Sequence, residues 1–185
     1  QKYIDLCIKS TDFILKKLKQ NENKLFKRYR HGVSSIDGMI EDYAFLIWGL
    51  IEMYQLTFDL KYLVEAEKLS NYQIDNFWDI KNKGFYFYDI NSESLIVRPK
   101  EVYDGAIPSG NSVSAYNFLR LSKILNNQKF KQIAIETINA FSNQINRSGT
   151  GYTMMLHSID YDFGPSYEVI IVGDFNDSKT QDILE

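Results

Sequence analysis

The sequence is poor in the residues that build disulfides and metal sites. It has one cysteine, Cys7, and 2 histidines among 185 residues. A single cysteine excludes an internal disulfide and a cysteine-cluster metal site. No pair of histidines or cysteines has a metal-binding spacing, and acidic triplets with calcium-loop spacing are missing. We therefore expect no bound metal, and a cytoplasmic protein in which Cys7, between Leu6 and Ile8, is a buried structural thiol.

Long apolar runs, basic patches and phosphate-binding glycine loops are also missing. The longest apolar run, residues 43–51, ends at Glu52, well short of the roughly 20 apolar residues that a membrane helix needs. With 21 lysines and arginines against 24 aspartates and glutamates the net charge is -3, and no basic stripe offers a footprint for a phosphate backbone. Neither a P-loop nor a dinucleotide fingerprint occurs. The sequence thus predicts no membrane span, no nucleic-acid partner and no cofactor.

Apolar and aromatic residues, in contrast, are plentiful. Hydrophobic residues make up 44% of the chain and aromatic residues 15%, which is enough for one ordinary globular core and argues against a disordered chain. The aromatic residues, which include Trp48, Trp78, Tyr86 and Tyr88, suit dense helix packing or a surface on which sugar rings stack. Packing is the commoner use of aromatic residues at a regular spacing.

The segment 44–87 has a weaker copy about 68 residues further along the chain. The shift places Trp48 on Tyr116 and Ala66 on Ala134. In the first half of each unit, apolar residues recur on nearly all sides of a helical pattern, which is typical of a buried helix. In the second half they alternate with charged residues, which is typical of an outer amphipathic helix. Each unit therefore predicts a helical hairpin.

The boundaries of these helices carry capping and turn residues. Asp59 and Asn127 precede the second helix of their units and can accept its free N–H groups. Turn residues at 79–84 precede an aromatic run that has the composition of a short strand. We therefore predict helices at 2–20, 42–57, 60–77, 110–125 and 128–145, with short strands near 26–29, 85–88 and 167–173.

Hairpins of an apolar inner helix and an amphipathic outer helix, with a short strand at one rim, are the layout of an α/α barrel. Such a hairpin cannot bury its inner helix alone, so neighbouring hairpins must stack or close into a ring. The predicted fold class is predominantly all-α, an α/α toroid fragment of repeated hairpins with short rim strands. Two units and a part make about half of a six-hairpin ring. We expect the apolar flanks that remain to mediate homo-oligomerisation.

Three segments of the sequence resemble a known family. They are Glu-Asp-Tyr-Ala at 41–44, the run 98–112, which contains Tyr-Asp-Gly-Ala-Ile-Pro-Ser-Gly-Asn-Ser at 103–112, and the stretch 168–173. These segments are similar to the C-terminal toroid region of the thioredoxin-domain-containing family that includes spermatogenesis-associated protein 20. The likeness extends from about Val33 to Gly173.

This resemblance implies a fold and a domain organisation. The fold is an (α/α)6 toroid of the six-hairpin glycosidase type, similar to N-acylglucosamine 2-epimerases. Residues 1–185 are then a partial barrel-like domain, a C-terminal fragment of a longer protein whose thioredoxin-like N-terminal domain is absent from this chain.

The loops that lead into the two predicted inner helices hold most of the unusual polar residues. In an α/α barrel the N-termini of the inner helices meet at one end, where helix dipoles and loop side chains surround a pocket. Asp42, Glu101 and Asp104 can supply a carboxylate pair there, as general acid and base for sugar chemistry. His157 can act as a further base. The alternative roles are structural. Asp42 caps its own helix, Glu101 forms an ion pair with a neighbouring basic residue, and His157 is exposed or packed.

The loop from residue 101 to residue 112 is longer than a plain connector and holds several shape-determining residues. Gly110 has no role inside a helix and indicates either a close backbone approach or an unusual dihedral angle. The hydroxyl, amide and free N–H groups at the start of the following helix can hold a sugar hydroxyl, although capping alone would also explain Ser109 or Asn111. We predict that four residues bind the substrate: Tyr43, Ser109, Asn111 and Ser112. We also predict that six residues face one shared cavity at the rim where the inner helices begin: Asp42, Tyr43, Glu101, Asp104, Ser109 and Asn111.

Two functions remain open from the sequence. The first is a carbohydrate-active toroid, a sugar epimerase, isomerase or glycoside hydrolase, that binds a small sugar-like molecule. The second is a non-catalytic module that binds a ligand or partner while the thioredoxin-like domain performs redox chemistry. Only the analogy of fold favours the first, so the sequence leaves open whether the chain is an enzyme.

Overall fold

The computed structural model describes residues 2–92, 97–165, 167, 169, 171–174 and 176–184. These residues form eight α-helices and one two-stranded antiparallel sheet, so the predominantly α-helical class is confirmed. No helix within the described ranges is long and apolar enough to span a membrane. The elements in chain order are α1 Lys2–Lys17, β1 Phe26–Arg30, β2 Val33–Asp37, α2 Ile40–Thr57, α3 Leu60–Phe77, α4 Gly110–Ile124, α5 Gln128–Ala140, α6 Ser142–Arg147, α7 Thr153–Phe163 and α8 Ser178–Leu184.

Helices α2, α4 and α7 lie side by side and form the inner layer, and α3 and α5 form a second layer against α2 and α4. Contacts between α2 and α4 progress in the same chain direction along both helices. Asn117 of α4 donates to the carbonyl oxygen of Ala44 (2.7 Å), and Arg120, later in α4, donates to Glu52, later in α2. These two helices are therefore parallel. Helix α7 is parallel to α4 by the same criterion. The inner helices α2 and α4 with the outer helices α3 and α5 behind them are the layout that the repeat predicted, and α7 adds a third inner helix.

The hairpin boundaries follow from local chemistry. The Asp59 side chain accepts the N–H of Lys61 (3.0 Å) at the start of α3, and the Asn127 side chain accepts the N–H of Phe130 (3.2 Å) at the start of α5. Both predicted caps are thus confirmed. The hairpins enclose one main core, whose largest fully buried side chains include Tyr43, Tyr62, Phe77, Phe85, Phe118 and Phe130.

Several helix predictions need correction. Helix α1 ends at Lys17 instead of residue 20, and the helix predicted at 128–145 is interrupted at Phe141, between α5 and α6. Helix α7 was missed, because the repeat aligned Tyr152 with the aromatic run that had been interpreted as a strand. Its buried residues, Met154, Met155 and Ser158, lie on the face that packs against α4. The short helix α8 was also missed.

The strand predictions are only partly right. Strand β1 is confirmed, and it pairs with β2, which the sequence analysis missed, across a turn at His31 and Gly32 (φ 50° and 82°). The strand predicted at 85–88 is wrong, since Phe85 makes only an isolated bridge to Trp78. The strand predicted near 167–173 includes residues that lie outside the described ranges, and residues 167, 169 and 171–173 form no strand.

The environment of Cys7 also differs from the prediction. This thiol is exposed, because α1 buries none of its residues. The apolar neighbours Leu6 and Ile8 belong to one amphipathic helix, whose partly covered face, which includes Ile8, packs against the core while Leu6 stays exposed.

Candidate functional site

One face of helix α2 stays accessible along most of its length. Residues three and four positions apart share a face of a helix, and this spacing places Glu41, Phe45, Trp48, Glu52 and Gln55 in one line. The first three are half-buried and the last two are exposed. Since α4 and α7 lie beside α2, we call the surface that these three helices share here the inner face.

Five rings form a continuous aromatic row across the inner face. Phe45 and Trp48 of α2 stack at 6.4 Å between ring centroids, and Trp48 meets Tyr116 of α4 edge-on at 5.8 Å. Tyr116 in turn contacts two rings of α7, His157 at 4.8 Å and Tyr161 at 5.3 Å. The five rings differ from the main core because none of them is fully buried.

A polar cluster lies further along the inner face, towards the C-terminal ends of α2 and α4. Arg120 donates to Oε1 of Glu52 (2.6 Å) and to Oε1 of Gln55 (2.7 Å), and its guanidinium stands over the ring of Tyr116 at 5.2 Å. The indole N–H of Trp48 donates to the same oxygen of Glu52 (3.0 Å). The guanidinium is therefore neutralised and held in one orientation.

Acidic residues gather at the N-terminal rim of the inner face. Partial burial, together with the charge of Glu101, raises the pKa of the Glu41 carboxyl above its usual range, although Lys27 acts in the opposite direction. Gly110, the first residue of α4, lies against Glu41, and a Cβ there would stand 3.2 Å from its backbone nitrogen and 2.7 Å from Cγ2 of Ile40. The predicted close approach at Gly110 is thus confirmed, and it brings the N-termini of α2 and α4 together.

A cavity of about 650 Å³ adjoins this rim, between α1, β1 and the N-terminal half of α2. Ile14 and Leu18 of α1, Phe26 of β1 and Leu46 of α2 make its lining mainly apolar. Glu41, Asp42 and Lys27 supply charge at one end, where Glu41 and Phe45 belong both to this lining and to the inner face. A lining of this kind suits an apolar side chain or helix better than a sugar, whose hydroxyls need several polar partners.

The four predicted catalytic residues lie in different environments. Glu101 is exposed, and its charge contributes to the raised pKa of Glu41. His157 lies exposed on the inner face. Asp42 lines the cavity, and its carboxylate accepts the N–H of Met39 (2.8 Å) at the start of α2. Asp104 is 7% exposed and lies apart from the cavity.

The predicted substrate-binding residues are buried and hydrogen-bonded within the fold. Tyr43 accepts the N–H of Leu25 (2.8 Å). Ser109 caps α4 by accepting the N–H of Ser112 (3.1 Å). The Asn111 side chain pairs with the N–H (2.7 Å) and C=O (2.9 Å) of Phe85.

Asp104 holds the same loop together. Its Oδ1 accepts the N–H of Ser109 (2.9 Å), and its Oδ2 accepts those of Met154 (2.9 Å) and Met155 (3.2 Å) in the first turn of α7. The carboxylate thus caps α7 from another loop. Loop residues 104–112 consequently support the inner helices from behind, and the accessible chemistry lies on the inner face.

Sequence reasoning missed Glu41, Glu52 and Arg120. The line of residues with helical spacing from Glu41 to Gln55 was visible in the sequence and could have indicated a shared face. No sequence signal placed Arg120 beside Glu52, because that contact depends on the packing of α4 against α2. Among the described residues, no three His, Cys, Asp or Glu side chains form a group that could hold a metal ion.

Sequence comparison finds longer relatives. Spermatogenesis-associated protein 20 of Mus musculus is 30% identical over 149 residues, which cover 80% of this chain and 19% of that protein. An uncharacterized protein of Caenorhabditis elegans is 30% identical over 152 residues, which cover 78% of this chain and 21% of that protein. The chain therefore spans about a fifth of the length of these relatives. A comparison with models of protein families gives no match.

Solved structures with the same fold are glycoside hydrolases. A GH76 alpha-mannanase of Bacteroides thetaiotaomicron superposes with a TM-score of 0.64 at 15% identity, over 83% of this chain and 44% of that one. An unsaturated glucuronyl hydrolase of Bacillus sp. GL1 gives a TM-score of 0.51 at 13% identity, over 76% of this chain and 39% of that one. The chain thus has part of the α/α toroid fold of these glycoside hydrolases, and over 80% of its length it is homologous to spermatogenesis-associated protein 20.

Proposed function

We propose that the inner face binds a saccharide. The observation that carries this proposal is the aromatic row, which crosses three parallel helices and stays accessible, unlike the fully buried rings of the main core. The apolar faces of sugar rings stack on such surfaces, and fixed polar groups beside the rings select the hydroxyls. The glycoside hydrolase fold of the structural neighbours supports this proposal.

We further propose that Glu41 is the proton donor for chemistry on the bound sugar. A carboxyl whose pKa is raised keeps its proton closer to neutral pH, as a general acid requires. Glu101 is the nearby carboxylate that would act as the base. This pair suits a glycoside hydrolase or a sugar epimerase or isomerase. The exposed free thiol of Cys7 fits a reducing, cytoplasmic setting for this activity.

A non-catalytic module is the second candidate. One observation favours it: the hydrogen-bonding groups of Asp104, Ser109 and Asn111 are engaged within the fold, so the loop contributes few groups for catalysis. In this case the toroid binds a sugar without turnover, and any redox chemistry belongs to a thioredoxin-like domain elsewhere in the longer protein.

Calorimetric titration with mannose- and glucose-based sugars tests the first proposal. We expect Tyr116→Ala to weaken binding about tenfold, because it removes the central ring of the row. Tyr3→Ala is the matched control, since Tyr3 is a 79% exposed tyrosine of α1, and it leaves the affinity unchanged. Equal effects of the two variants contradict the inner-face site.

Turnover assays separate the two candidates. Glu41→Gln keeps the size of the side chain but removes its proton, and we expect it to retain sugar binding and to lower kcat about a hundredfold or more. Sugar binding without turnover in the unmodified chain favours the non-catalytic module. Unchanged turnover in Glu41→Gln removes Glu41 from the mechanism.

A further inference from the structure

The salt bridge between Glu52 and Arg120 is unequal in its exposure. The Arg120 side chain is 6% exposed and the Glu52 side chain 56% exposed. The hydrogen bonds from Arg120 and from Trp48 both go to Oε1 of Glu52. Oε2 receives none of the hydrogen bonds that the structure gives this carboxylate. The acid is thus held in one orientation with an acceptor directed away from its two donors.

Stability alone explains this arrangement poorly. A buried guanidinium needs a partner for its charge, and Oε1 of Glu52, Gln55 and the ring of Tyr116 already hold Arg120 in place. This need does not account for the second oxygen of Glu52, whose side chain is 56% exposed. A fixed carboxylate beside an indole ring is, however, well suited to accept a hydrogen bond from a sugar hydroxyl while the ring stacks on the sugar.

The position of this acceptor sets the length of the ligand. Glu41 and Glu52 lie on one face of α2, about 16 Å apart along the helix axis at 1.5 Å per residue. Phe45 and Trp48 lie between them and continue the aromatic row. A single sugar ring is too short to reach from one acid to the other.

We infer that the inner face takes an oligosaccharide extended along α2, and that Glu52, positioned by Arg120 and Trp48, binds the end that lies away from Glu41. This inference rests on the proposed function and adds a second subsite to it. The ligand enters at the rim and reaches past at least two aromatic rings to the polar cluster.

Titration of the chain with mannose and with a ladder of manno-oligosaccharides, repeated with glucose and cello-oligosaccharides, tests the inference. We expect affinity to rise with chain length until the ligand reaches Glu52. Glu52→Gln keeps the oxygen that Arg120 and Trp48 use but removes the charge, and it lowers the affinity for the longest sugars about tenfold while changing monosaccharide affinity less than about twofold. Glu67→Gln on α3 is the matched control and has no effect.

A second variant guards against loss of folding. Trp48→Phe keeps an aromatic ring but removes the indole N–H that holds Glu52, so it reduces the gain in affinity with chain length in the same direction. Affinity that does not depend on length, while Tyr116→Ala still weakens monosaccharide binding, overturns the second subsite and leaves the proposed function intact. No binding of any sugar in either series overturns both.

Discussion

Buried polar side chains in the loop before α4 and in the first turn of α4 serve as partners for backbone groups. A buried loop has N–H and C=O groups that no ladder satisfies, so side chains must take their place. The Asn111 amide pairs with both backbone groups of Phe85, as a neighbouring strand would. Asp104 accepts three N–H groups, two of them from the first turn of α7. The polar side chains at these positions therefore support the inner layer, because they satisfy its backbone groups.

A substitution at Asp104 tests this structural role. Asp104→Asn keeps the shape of the side chain but removes its charge, which stabilises the N-terminus of α7, and replaces one acceptor oxygen with a donor. We expect the free energy of unfolding, measured with urea, to fall by about 1–2 kcal/mol. Asp160→Asn, on the exposed side of α7, is the control and changes it little. Unchanged stability combined with lost turnover would return Asp104 to a catalytic role.

At the scale of the elements, local chemistry was predictable and packing was not. The caps at Asp59 and Asn127 and the apolar periodicity between them predicted both hairpins, because these signals lie within a few residues of each other. Helix α7 and the absence of a strand at 85–88 depend on contacts with α4, which no local pattern contains. The same limit applies to the site: Asp42 and Glu101 could be found from the loops, but Arg120 reaches Glu52 only through the packing of two helices.

The turn between α3 and the Phe85 segment is held by a buried carboxylate. Burial alone would raise the pKa of Asp79, but the ammonium of Lys100 (2.7 Å), the N–H of Asn82 (3.0 Å) and the hydroxyl of Tyr86 (2.8 Å) together hold it well below its usual range. A lowered pKa in the folded state means that the ionised form contributes stability above the unfolded pKa of about 3.9. That contribution is lost as the pH falls further towards the folded pKa.

Unfolding as a function of pH measures this contribution. We expect Asp79→Asn to destabilise the protein at pH 7 and the difference from the unmodified chain to shrink as the pH falls from about 4 towards 2. Asp12→Asn, on the exposed side of α1, gives a difference that is small at every pH. A difference for Asp79→Asn that stays constant down to about pH 2 excludes this carboxylate as the source.

At the scale of the whole molecule, α2 has another inner helix on only one of its sides within the described part of the chain. Helix α4 lies between α2 and α7, whereas the other side of α2 faces the apolar cavity beside α1 and β1. Gly49 lines this cavity, and a Cβ there would meet no atom within 4 Å. A glycine inside a helix costs about 0.5–1 kcal/mol relative to alanine, so open space alone does not explain it. At Gly110, in contrast, the missing Cβ makes room for the side chain of Ile40 in the neighbouring helix.

We propose that a helix from a second copy of the chain packs against the apolar part of this cavity, around Leu46 and Gly49, and leaves Glu41 and Phe45 accessible on the inner face. The exposed side of α7 supplies this contact, since Leu156 is 39% and Phe163 86% exposed, and α7 is the inner helix at the opposite end of the described layer. Such a contact places α7 of one copy beside α2 of the next and so continues the side-by-side order of α2, α4 and α7. It is a heterologous contact, which closes into a ring when the rotation between copies permits.

Substitution of Gly49 tests this association. Gly49→Glu places a charged side chain in the cavity, and we expect it to raise the dissociation constant for self-association at least about tenfold, measured by light scattering over a range of concentrations. The same change raises the stability of the dissociated chain by about 0.5–1 kcal/mol in urea, because glutamate favours helix and its Cβ meets no atom within 4 Å at this position. Val64→Glu, at a 44% exposed position of α3, is the control and leaves association unchanged. An unmodified chain that scatters as a monomer at every concentration, or a Gly49→Glu variant that associates as tightly as the unmodified chain, excludes the cavity as the interface.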